Sequence, residues 1–586
     1  MEKKSTASRT GAQIIVEALI KEKVKVAFGY PGGAILDTFD ALYLAKDKFR
    51  FVLARHEQGA AHMADGYARA SGEVGVAVFT SGPGATNAVT GIATANMDSV
   101  PMVVICGQVG TSVIGNDAFQ EADVTGITRP VSKHNYLVKN VDELPEILTE
   151  AFHIARTGRP GPVVVDVPKD VQQASSTVPF PEKAHIPTYQ PNFEGNMNQV
   201  KKMAAAIKKA HRPLCYVGGG TIISNATEEL YKFVKKTKIP VTETLMGLGA
   251  YPESEPENLR MLGMHGTCYA NLAVQNCDLL IAIGARFDDR VTGDVDSFSS
   301  KATIVQIDID PSSISKIKAA DIPVVGDVKD VLTKLNKIVE APKIDEWLAQ
   351  VAEWKKEYPL CYPKTKTGLI MPQYVIEQVA KIAGDDAIFT TDVGQNQMWA
   401  AQYLGIERPR TFLTSGGLGT MGYGLPSAIG AQCAKMDAPV FAICGDGGFQ
   451  MLIEELAVAR LNRLPVVSII LNNSCLGMVR QWQELFYNKH YAMSITDSTC
   501  DTLFEPEKEA RYIPDFVKVA EAYDAIAERV TDVKRVAPAL SEAVKKAKKE
   551  RRPVVLEFVV EPRANVCPMV PAGASLDHMI GHKGDL

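Results

Sequence analysis

Short, continuous runs of β-branched and apolar residues recur along the chain, each followed by a longer segment of helical periodicity. The clearest runs are Gly75–Thr80, Pro101–Gly107, Pro162–Val167, Leu214–Val217, Leu279–Gly284, Ala302–Ile309, Ala387–Thr391, Pro439–Cys444, Pro465–Leu471 and Pro553–Val560. A strand that is apolar on both faces must be covered on both faces. Strands that alternate with helices are joined by crossovers, so the pattern dictates parallel sheets sandwiched between helices. The rhythm breaks twice. Residues 171–197 hold Pro179, Pro181, Pro187 and Pro191 without periodicity, and the stretch around Glu357–Pro372 holds Pro359, Pro363 and Pro372. The expected fold is α/β, with three domains that each carry a mostly parallel sheet flanked by helices. The expected boundaries are 1–175, a linker at 176–196, 197–345, a linker at 346–371, 372–562 and a C-terminal tail at 563–586, which gives units of ordinary domain size.

Composition narrows the class of function. The 586 residues carry a net charge of −5 and are 46% hydrophobic, so there is material for several cores and no electrostatic reason to expect nucleic acid or a membrane surface as partner. The longest apolar runs are strand-sized, far short of the ~20 residues a membrane helix needs. Met1–Arg9 is polar and runs directly into the amphipathic segment Gly11–Lys21. No secretory signal or removable presequence is expected, and the location implied is cytoplasmic. The ten cysteines form no CxxC pair and several lie inside apolar runs, the pattern of reduced, buried thiols. His56 and His62, six apart, do not share a helix face and read as packing residues rather than a metal pair.

The strongest chemical signal lies in the third unit. The run Pro439–Cys444 leads into Gly445-Asp446-Gly447-Gly448, and the next apolar run ends in Asn472-Asn473. Asn473 follows Asp446 by 27 positions, one helix plus one strand, which sets both side chains at the carboxyl ends of neighbouring parallel strands where open α/β sheets bind ligands. A carboxylate and an amide oxygen are hard donors suited to Mg²⁺, an ion that shares its shell with phosphate oxygens. The glycines let backbone approach a diphosphate, and a helix amino terminus favours the anion. The plain alternative is a turn and a loop end that bind nothing.

This Gly-Asp-Gly…Asn-Asn arrangement resembles the metal–diphosphate signature of thiamine-diphosphate enzymes. In that family another domain, usually from the partner subunit, holds the aminopyrimidine through one glutamate, and Arg55-His56-Glu57-Gln58-Gly59-Ala60 is similar to that motif. A carboxyl group on the pyrimidine N1′ promotes the imino form, which can take the proton from the thiazolium C2. Further blocks are similar to acetohydroxyacid synthase (acetolactate synthase) catalytic subunits, in the same order. They include Gly29–Gly33, Thr80–Asn87, Asp117–Glu121, Lys133–Tyr136, Pro168–Asp170, Arg286–Arg290, Gly394-Gln395, Gly416–Gly422 and Gly477-Met478 with Trp482.

The resemblance implies a pyrimidine-binding first domain, a central FAD-binding domain and a diphosphate-binding third domain. It implies decarboxylation of pyruvate on thiamine diphosphate and ligation of the hydroxyethyl unit to a second pyruvate, giving 2-acetolactate, or to 2-ketobutyrate, giving 2-aceto-2-hydroxybutyrate. That is the first common step towards valine, leucine and isoleucine. By the same resemblance, Glu57, Gln120, Lys169, Arg290, Trp482 and Gly32 serve catalysis: Arg290 would hold the acceptor carboxylate, Trp482 would favour the larger acceptor, and Gln120 and Lys169 would line the entrance. Pro83, Gly394, Gln395, Asn396, Gly419, Gly445, Gly447, Gly448 and Met478 would contact the thiamine cofactor, with Met421 wedged beneath it, and the metal would sit on Asp446, Asn473 and the carbonyl of Cys475. Arg159, Gly218, Gly219, Gly220, Thr244, Leu245, Met246, Met264, His265, Arg286, Asp308, Ile309, Asp327 and Val328 would hold FAD in a structural role. The residues themselves give no GxGxxG fingerprint for that dinucleotide.

The chain departs from the family at Gly448, where serine is common, at Asn396, where histidine is usual, and at Ser474-Cys475 after the metal asparagine. Two other readings compete: a pyruvate oxidase or another carboligase on the same scaffold, and an inactive regulatory paralogue. The partners implied are pyruvate and 2-ketobutyrate, a second copy in a homodimer or dimer of dimers, and a small regulatory subunit typical of the family, with neither nucleic acid nor membrane.

Overall fold

The computed structural model describes residues 7–363, 368–496 and 513–581. Three six-stranded sheets, every pairing parallel, form its frame. The N-terminal domain supplies β1 (Val26–Gly29), β2 (Arg50–Leu53), β3 (Gly75–Phe79), β4 (Met102–Gln108), β5 (His134–Leu137) and β6 (Pro162–Pro168). The middle domain supplies β7 (Pro213–Val217), β8 (Val241–Glu243), β9 (Asn258–Met261), β10 (Leu279–Ile283), β11 (Thr303–Asp308) and β12 (Ile322–Val325). The C-terminal domain supplies β13 (Ile388–Thr391), β14 (Phe412–Leu413), β15 (Val440–Gly445), β16 (Val467–Asn472), β17 (Ile526–Val530) and β18 (Val554–Val559). Each apolar run read from the sequence is one of these strands.

Strand order divides the domains into two kinds. The outer sheets run β2-β1-β3-β4-β6-β5 and β14-β13-β15-β16-β18-β17, the same order, while the middle sheet runs β9-β8-β7-β10-β11-β12. The middle order is that of the dinucleotide-binding fold, reversing between its first and fourth strands; the outer sheets reverse between their first and third. Each reversal leaves a crevice at the carboxyl ends of the strands.

The two outer domains share a core. Helix α1 (Glu57–Ser71) follows β2, and its counterpart α2 (Gly424–Ala434) follows β14. Both are built largely of Gly, Ala and Ser and are buried on nearly all sides. A β-carbon on Gly66 would lie 2.2 Å from the Ser427 carbonyl oxygen, and one on Gly430 1.9 Å from the Met63 carbonyl oxygen. The contacts are reciprocal and equally spaced, so the helices cross with a local two-fold relation. Around them a single apolar cluster runs from Val26 and Phe79 to Ile388, Val440 and Val555.

Two expected connections are different in kind. The second linker is shorter than 346–371, because Asp345–Glu357 is a helix whose Trp347 and Val351 enter the middle core, with the Trp347 indole N–H donating to the Pro213 carbonyl at 3.0 Å. Prolines mark only its far end. The tail is not loose either: Ala564, Val566, Met569, Val570 and Leu576 are buried. The 176–196 connection lies against the first domain, where the Tyr189 hydroxyl donates to the Thr157 carbonyl at 2.7 Å and accepts from Lys133 at 2.8 Å. No disulfide joins the described cysteines, and most of them are buried; Cys500 lies outside the described residues. No described helix is long and apolar enough to cross a membrane.

The crossing yields a stability prediction. Gly430→Ala forces a methyl group into the Met63 backbone and should destabilise by about 1–3 kcal/mol, the range for overpacking a tight core. Gly33→Ala, where a β-carbon meets nothing within 4 Å, should stay within about 0.5 kcal/mol of the parent. Unfolding followed by intrinsic fluorescence and circular dichroism checks the contrast; equal midpoints for the two variants would contradict it.

Candidate functional site

The crevice of the C-terminal sheet opens between β13 and β15. β13 runs into Asp392-Val393-Gly394, and helix α3 (Gln395–Tyr403) starts there, with Gly394 at φ 131° as its cap. β15 runs into Gly445 and Asp446. Asp446 is 2% exposed; one carboxylate oxygen accepts the Gly447 N–H at 2.9 Å and the other is buried with no hydrogen-bond partner among the described residues. Burial pushes this carboxyl up to about 7. An orphaned, desolvated carboxylate oxygen at a strand switch point is a position that a cation would satisfy.

Asn473, the second expected donor, follows β16, the strand that pairs with β15. Its amide nitrogen donates to Gln395 Oε1 at 3.2 Å, which fixes the amide flip and orients the oxygen, and that oxygen accepts the Cys475 N–H at 3.3 Å. Gln395 is itself held, donating to Gln481 and to the Ala564 carbonyl at 2.9 Å each. Asn396 spends its amide nitrogen on the carbonyls of Asp392 and Ile443, both at 3.0 Å, so it ties the ends of β13 and β15 together, and its oxygen lies towards Gly394 and Gly445. Met421 reaches the same floor: a β-carbon on Gly447 would lie 3.5 Å from its terminal methyl. At Gly448 a β-carbon would meet an Asp392 carboxylate oxygen at 2.2 Å, so glycine lets that carboxylate in.

Asp392, unremarkable in the sequence, is the hub of this floor. It is 1% exposed and accepts N–H bonds from Val393 at 2.8 Å, Gly422 at 3.1 Å and Gly424 at 3.3 Å. The loop that carries Gly419 and Met421 is also gripped from the N-terminal domain. Asp98 accepts the N–H groups of Gly416 and Gly417 at 3.0 and 2.7 Å, and Thr94 and Thr420 share a hydroxyl bond at 2.7 Å. Arg69 joins Asp65 and Asp98 in a buried ion network, and the Tyr423 hydroxyl donates to Asp65 at 2.6 Å. Polar side chains at single positions in helices and loops add no periodic signal of their own, so sequence reasoning missed all of these.

Above the floor, at the junction of the three domains, lies a cavity of about 670 Å³. Every residue that the resemblance assigns to FAD lines it, from Arg159 in the N-terminal domain through Gly218–Gly220 and Asp308 to Asp327 and Val328. It occupies the switch point of the middle sheet, where the loops after β7 and β10 touch: a β-carbon on Gly218 would lie 2.3 Å from the Gly284 carbonyl oxygen. Burial pushes Asp308 up to about 6. Arg159 faces Asp310 at 3.7 Å, and Arg286 pairs with Asp288. The volume and switch-point placement fit an extended dinucleotide.

The same cavity extends to Gly394, Gly419, Met478 and Trp482. Arg290 comes from the middle domain and Trp482 from helix α4 (Gly477–Phe486), and the guanidinium lies 5.9 Å from the indole centroid. Arg290 has only a loose, exposed contact with Asp289 at 3.7 Å, and Asp288 is engaged with Arg286. Its charge therefore stays available. The indole N–H of Trp482 is buried without a partner among the described residues.

The N-terminal candidates form a separate group on the carboxyl edge of their own sheet. Glu57 is the first residue of α1 and accepts from Asn87 at 3.0 Å. Gly32 follows β1 and packs on Thr80; Pro83 opens helix α5 (Pro83–Met97); Lys169 follows β6 and donates to the Gly33 carbonyl at 3.3 Å. The Gln120 carbonyl lies against Gly82. The hydroxyls of Thr80 and Ser81 are buried without partners among the described residues. None of Glu57, Gly32, Pro83, Gln120 or Lys169 lines the three-domain cavity. His62 is buried against Tyr423, and no group of three or more metal-type ligands occurs among the described residues.

Comparisons with known proteins agree along the length. Residues 9–127 match the thiamine pyrophosphate enzyme N-terminal TPP-binding domain, 200–335 the central domain and 392–558 the C-terminal TPP-binding domain of those enzymes. The acetolactate synthase large subunit of Corynebacterium glutamicum is 49% identical over 97% of this chain and 89% of its own. The isozyme 3 large subunit of Escherichia coli acetolactate synthase is 44% identical, covering 97% and 98%. A probable acetolactate synthase large subunit of Methanocaldococcus jannaschii is 47% identical, covering 97% and 95%.

The orphaned carboxylate oxygen gives the test of the floor. Asp446→Ala should weaken Mg²⁺ and thiamine diphosphate together, each by roughly 100-fold or more, since one hard donor is lost from a shared site. Paired calorimetric titrations of metal and cofactor check this; loss of one ligand without the other would remove Asp446 from the metal site.

Proposed function

The chain belongs to the thiamine pyrophosphate enzymes, among the acetolactate synthase large subunits, and from that membership we propose the reaction and the residues that serve it. The enzyme decarboxylates pyruvate and joins the two-carbon unit to a second 2-keto acid, giving 2-acetolactate from pyruvate or 2-aceto-2-hydroxybutyrate from 2-ketobutyrate. Its place is the common step of branched-chain amino-acid biosynthesis. The observation that carries this reading is the meeting of Arg290 and Trp482 across a domain boundary, in the same cavity as Gly394, Gly419 and Met478. A fixed cation against an aromatic wall is what an α-keto carboxylate with a short apolar tail requires.

Thiamine diphosphate, when bound, supplies the nucleophilic thiazolium carbon and the electron sink for decarboxylation. Asp446, Asn473 and the Cys475 carbonyl would hold Mg²⁺, and Gly394, Gly445, Gly447 and Gly448 would leave room for the diphosphate beside it. Gln395 orients Asn473, and Met421 supports the cofactor from below on the loop that Asp392 and Asp98 hold. Arg290 receives the acceptor carboxylate, and Trp482 walls the space beside its alkyl group. Glu57 holds a proton at the pyrimidine N1′, with Gly32, Pro83, Gln120 and Lys169 around it. Because this group lies outside the three-domain cavity of its own chain, it serves the floor of a second copy, and a homodimer is the least active unit. The residues around the switch point of the middle sheet would hold FAD, in a structural role because the net reaction transfers no electrons. The relatives are named large subunits, which supports a small regulatory partner for this chain.

Product identification by NMR tests the reading. Purified protein given pyruvate, thiamine diphosphate, Mg²⁺ and FAD should form acetolactate, and added 2-ketobutyrate should divert it to acetohydroxybutyrate. Acetate or acetaldehyde as the main product would overturn the roles of Arg290 and Trp482. Trp482→Leu should shift the product ratio towards acetolactate by roughly 10-fold, the scale of one methylene in an apolar pocket. Arg290→Gln should raise the acceptor concentration needed for half-maximal ligation by a similar factor or more. An unchanged product ratio in the tryptophan variant would count against its assignment.

A further inference from the structure

Nine residues beyond Asp446, the chain passes through the short helical turn Ile453–Glu455, and Glu455 is completely buried. Its carboxylate points out of its own domain. One oxygen accepts the N–H of Arg55 at 3.2 Å and of His56 at 3.0 Å, and the other accepts the N–H of Arg55 at 3.1 Å. Those two residues immediately precede Glu57. A side chain at residue 59 would make the approach impossible, because a β-carbon on Gly59 would lie 2.1 Å from Glu455 Oε1. The Arg55 guanidinium turns away and donates to the Leu53 and Ala54 carbonyls at 3.3 Å each. Glu455 is thus a buried carboxyl group whose two oxygens accept backbone N–H groups at the amino end of α1.

We propose that Glu455 is a positioning residue for Glu57, acting across the boundary between the outer domains. This rests on the role given to Glu57 above. An apolar side chain would fill the same space without desolvating a carboxylate, so packing alone does not account for a glutamate here. What the carboxylate adds is direction: it fixes the backbone of the two residues from which Glu57 departs. The Glu57 side chain is held separately by Asn87 on α5. The two restraints come from different domains and meet on one carboxyl group. Displacement of a positioned group by about 1 Å slows a reaction by roughly 100-fold, so a backbone anchor at this point controls chemistry without touching the cofactor.

The test uses the full chain with two variants. Glu455→Gln keeps the shape but leaves one accepting oxygen where there were two, while Gly59→Ala keeps Glu455 and pushes it off the helix end. In cofactor-free protein, both should raise deuterium uptake of the backbone segment 55–60, read by mass spectrometry. With thiamine diphosphate and Mg²⁺ bound, both should slow exchange of the thiazolium C2 proton with D₂O by roughly 10- to 100-fold, the range expected for lost hydrogen bonds to a charged group. Cofactor affinity should change by less than about 3-fold, because the floor on Asp446 is intact. Adding Glu455→Gln to Glu57→Gln should slow exchange no further than Glu57→Gln alone, since both act through one carboxyl group. Parental exchange in Glu455→Gln alongside slow exchange in Glu57→Gln would overturn the proposal and leave the function standing. Additive slowing in the double variant would also overturn it, marking a general structural effect. Parental exchange in Glu57→Gln would bring down the role of Glu57 itself and the proposal with it. If Glu455→Gln does not fold, Gly59→Ala decides by the same readings.

Discussion

The contact between α1 and α2 is the constraint on which the remaining architecture depends. Gly66 against Ser427 and Gly430 against Met63 bring two backbones to a distance that no larger side chain permits. Each of these helices begins at a part of the site: α1 starts at Glu57, and α2 follows directly on the loop that holds Met421. Locking the helices together therefore sets the positions of both parts at once. The shared strand order of the two outer sheets makes the arrangement nearly symmetric, so each sheet presents its carboxyl ends in an equivalent way. Symmetry of this kind leaves the two groups of residues in separate places on one chain, which is the ground for the proposed homodimer.

Polar groups do the finer work. The loops of the floor are glycine-rich and have little side-chain packing of their own, so their conformation must be fixed through backbone N–H groups. Asp392, Asp98 and Glu455 each accept two or more of them from inside the protein. Asp98 is neutralised by Arg69, itself buried and also bonded to the Thr414 carbonyl. Asp392 and Glu455 are held by amide donors, and burial pushes their carboxyls up to about 6 and 8. Buried carboxylates are a costly way to build a core and a direct way to pin a loop, because a misplaced donor leaves the anion unsatisfied. That asymmetry makes the loops around the candidate site stiff where apolar packing would leave them tolerant.

Legibility in the sequence followed the same physics. Interior strands such as Pro162–Pro168 and Val467–Asn472 are buried on both faces, so their apolar runs stand out. The edge strands Arg50–Leu53, His134–Leu137 and Ile526–Val530 mix polar with apolar residues because one side meets solvent, and they carried no comparable signal. The helix Asp345–Glu357 reads as polar but for Trp347, Leu348, Val351 and Trp354, and it was hidden beside the prolines that follow it. Asp446 and Asn473 were legible because glycine neighbours and strand-end spacing set them in a known chemical context. The residues that the resemblance assigns to FAD were not legible from spacing, since no GxGxxG run is present; they entered through resemblance, and the cavity brings them together from the N-terminal and middle domains. Asp392 and Glu455 look in sequence like any acidic residue after a strand or in a helix, and only the fold reveals what their oxygens face.

The middle domain contributes something the outer two cannot. Its sheet reverses at a different pair of strands, and the cavity at its switch point continues to Gly394, Gly419 and Met478 of the C-terminal domain. Arg290 enters from the middle side and Trp482 from the C-terminal side, so the proposed acceptor site lies on a domain seam rather than inside a domain. That seam is stitched by the tail. Gln481 donates to the Val566 carbonyl at 3.0 Å, the Val570 N–H donates to the Met264 carbonyl at 2.8 Å, and the Asp294 N–H donates to the Ala574 carbonyl at 3.0 Å. The tail thus contacts the helix of Trp482, the cavity wall and the segment after Arg290 in turn. The metal floor, by contrast, is built within the C-terminal domain, apart from the tail's bond to Gln395 and the grip of Asp98 on the glycine loop. Gln481 links the two parts: it donates to the tail at Val566 and accepts from Gln395, the residue that orients Asn473, so the proposed acceptor site and the proposed metal floor share one hydrogen-bond relay.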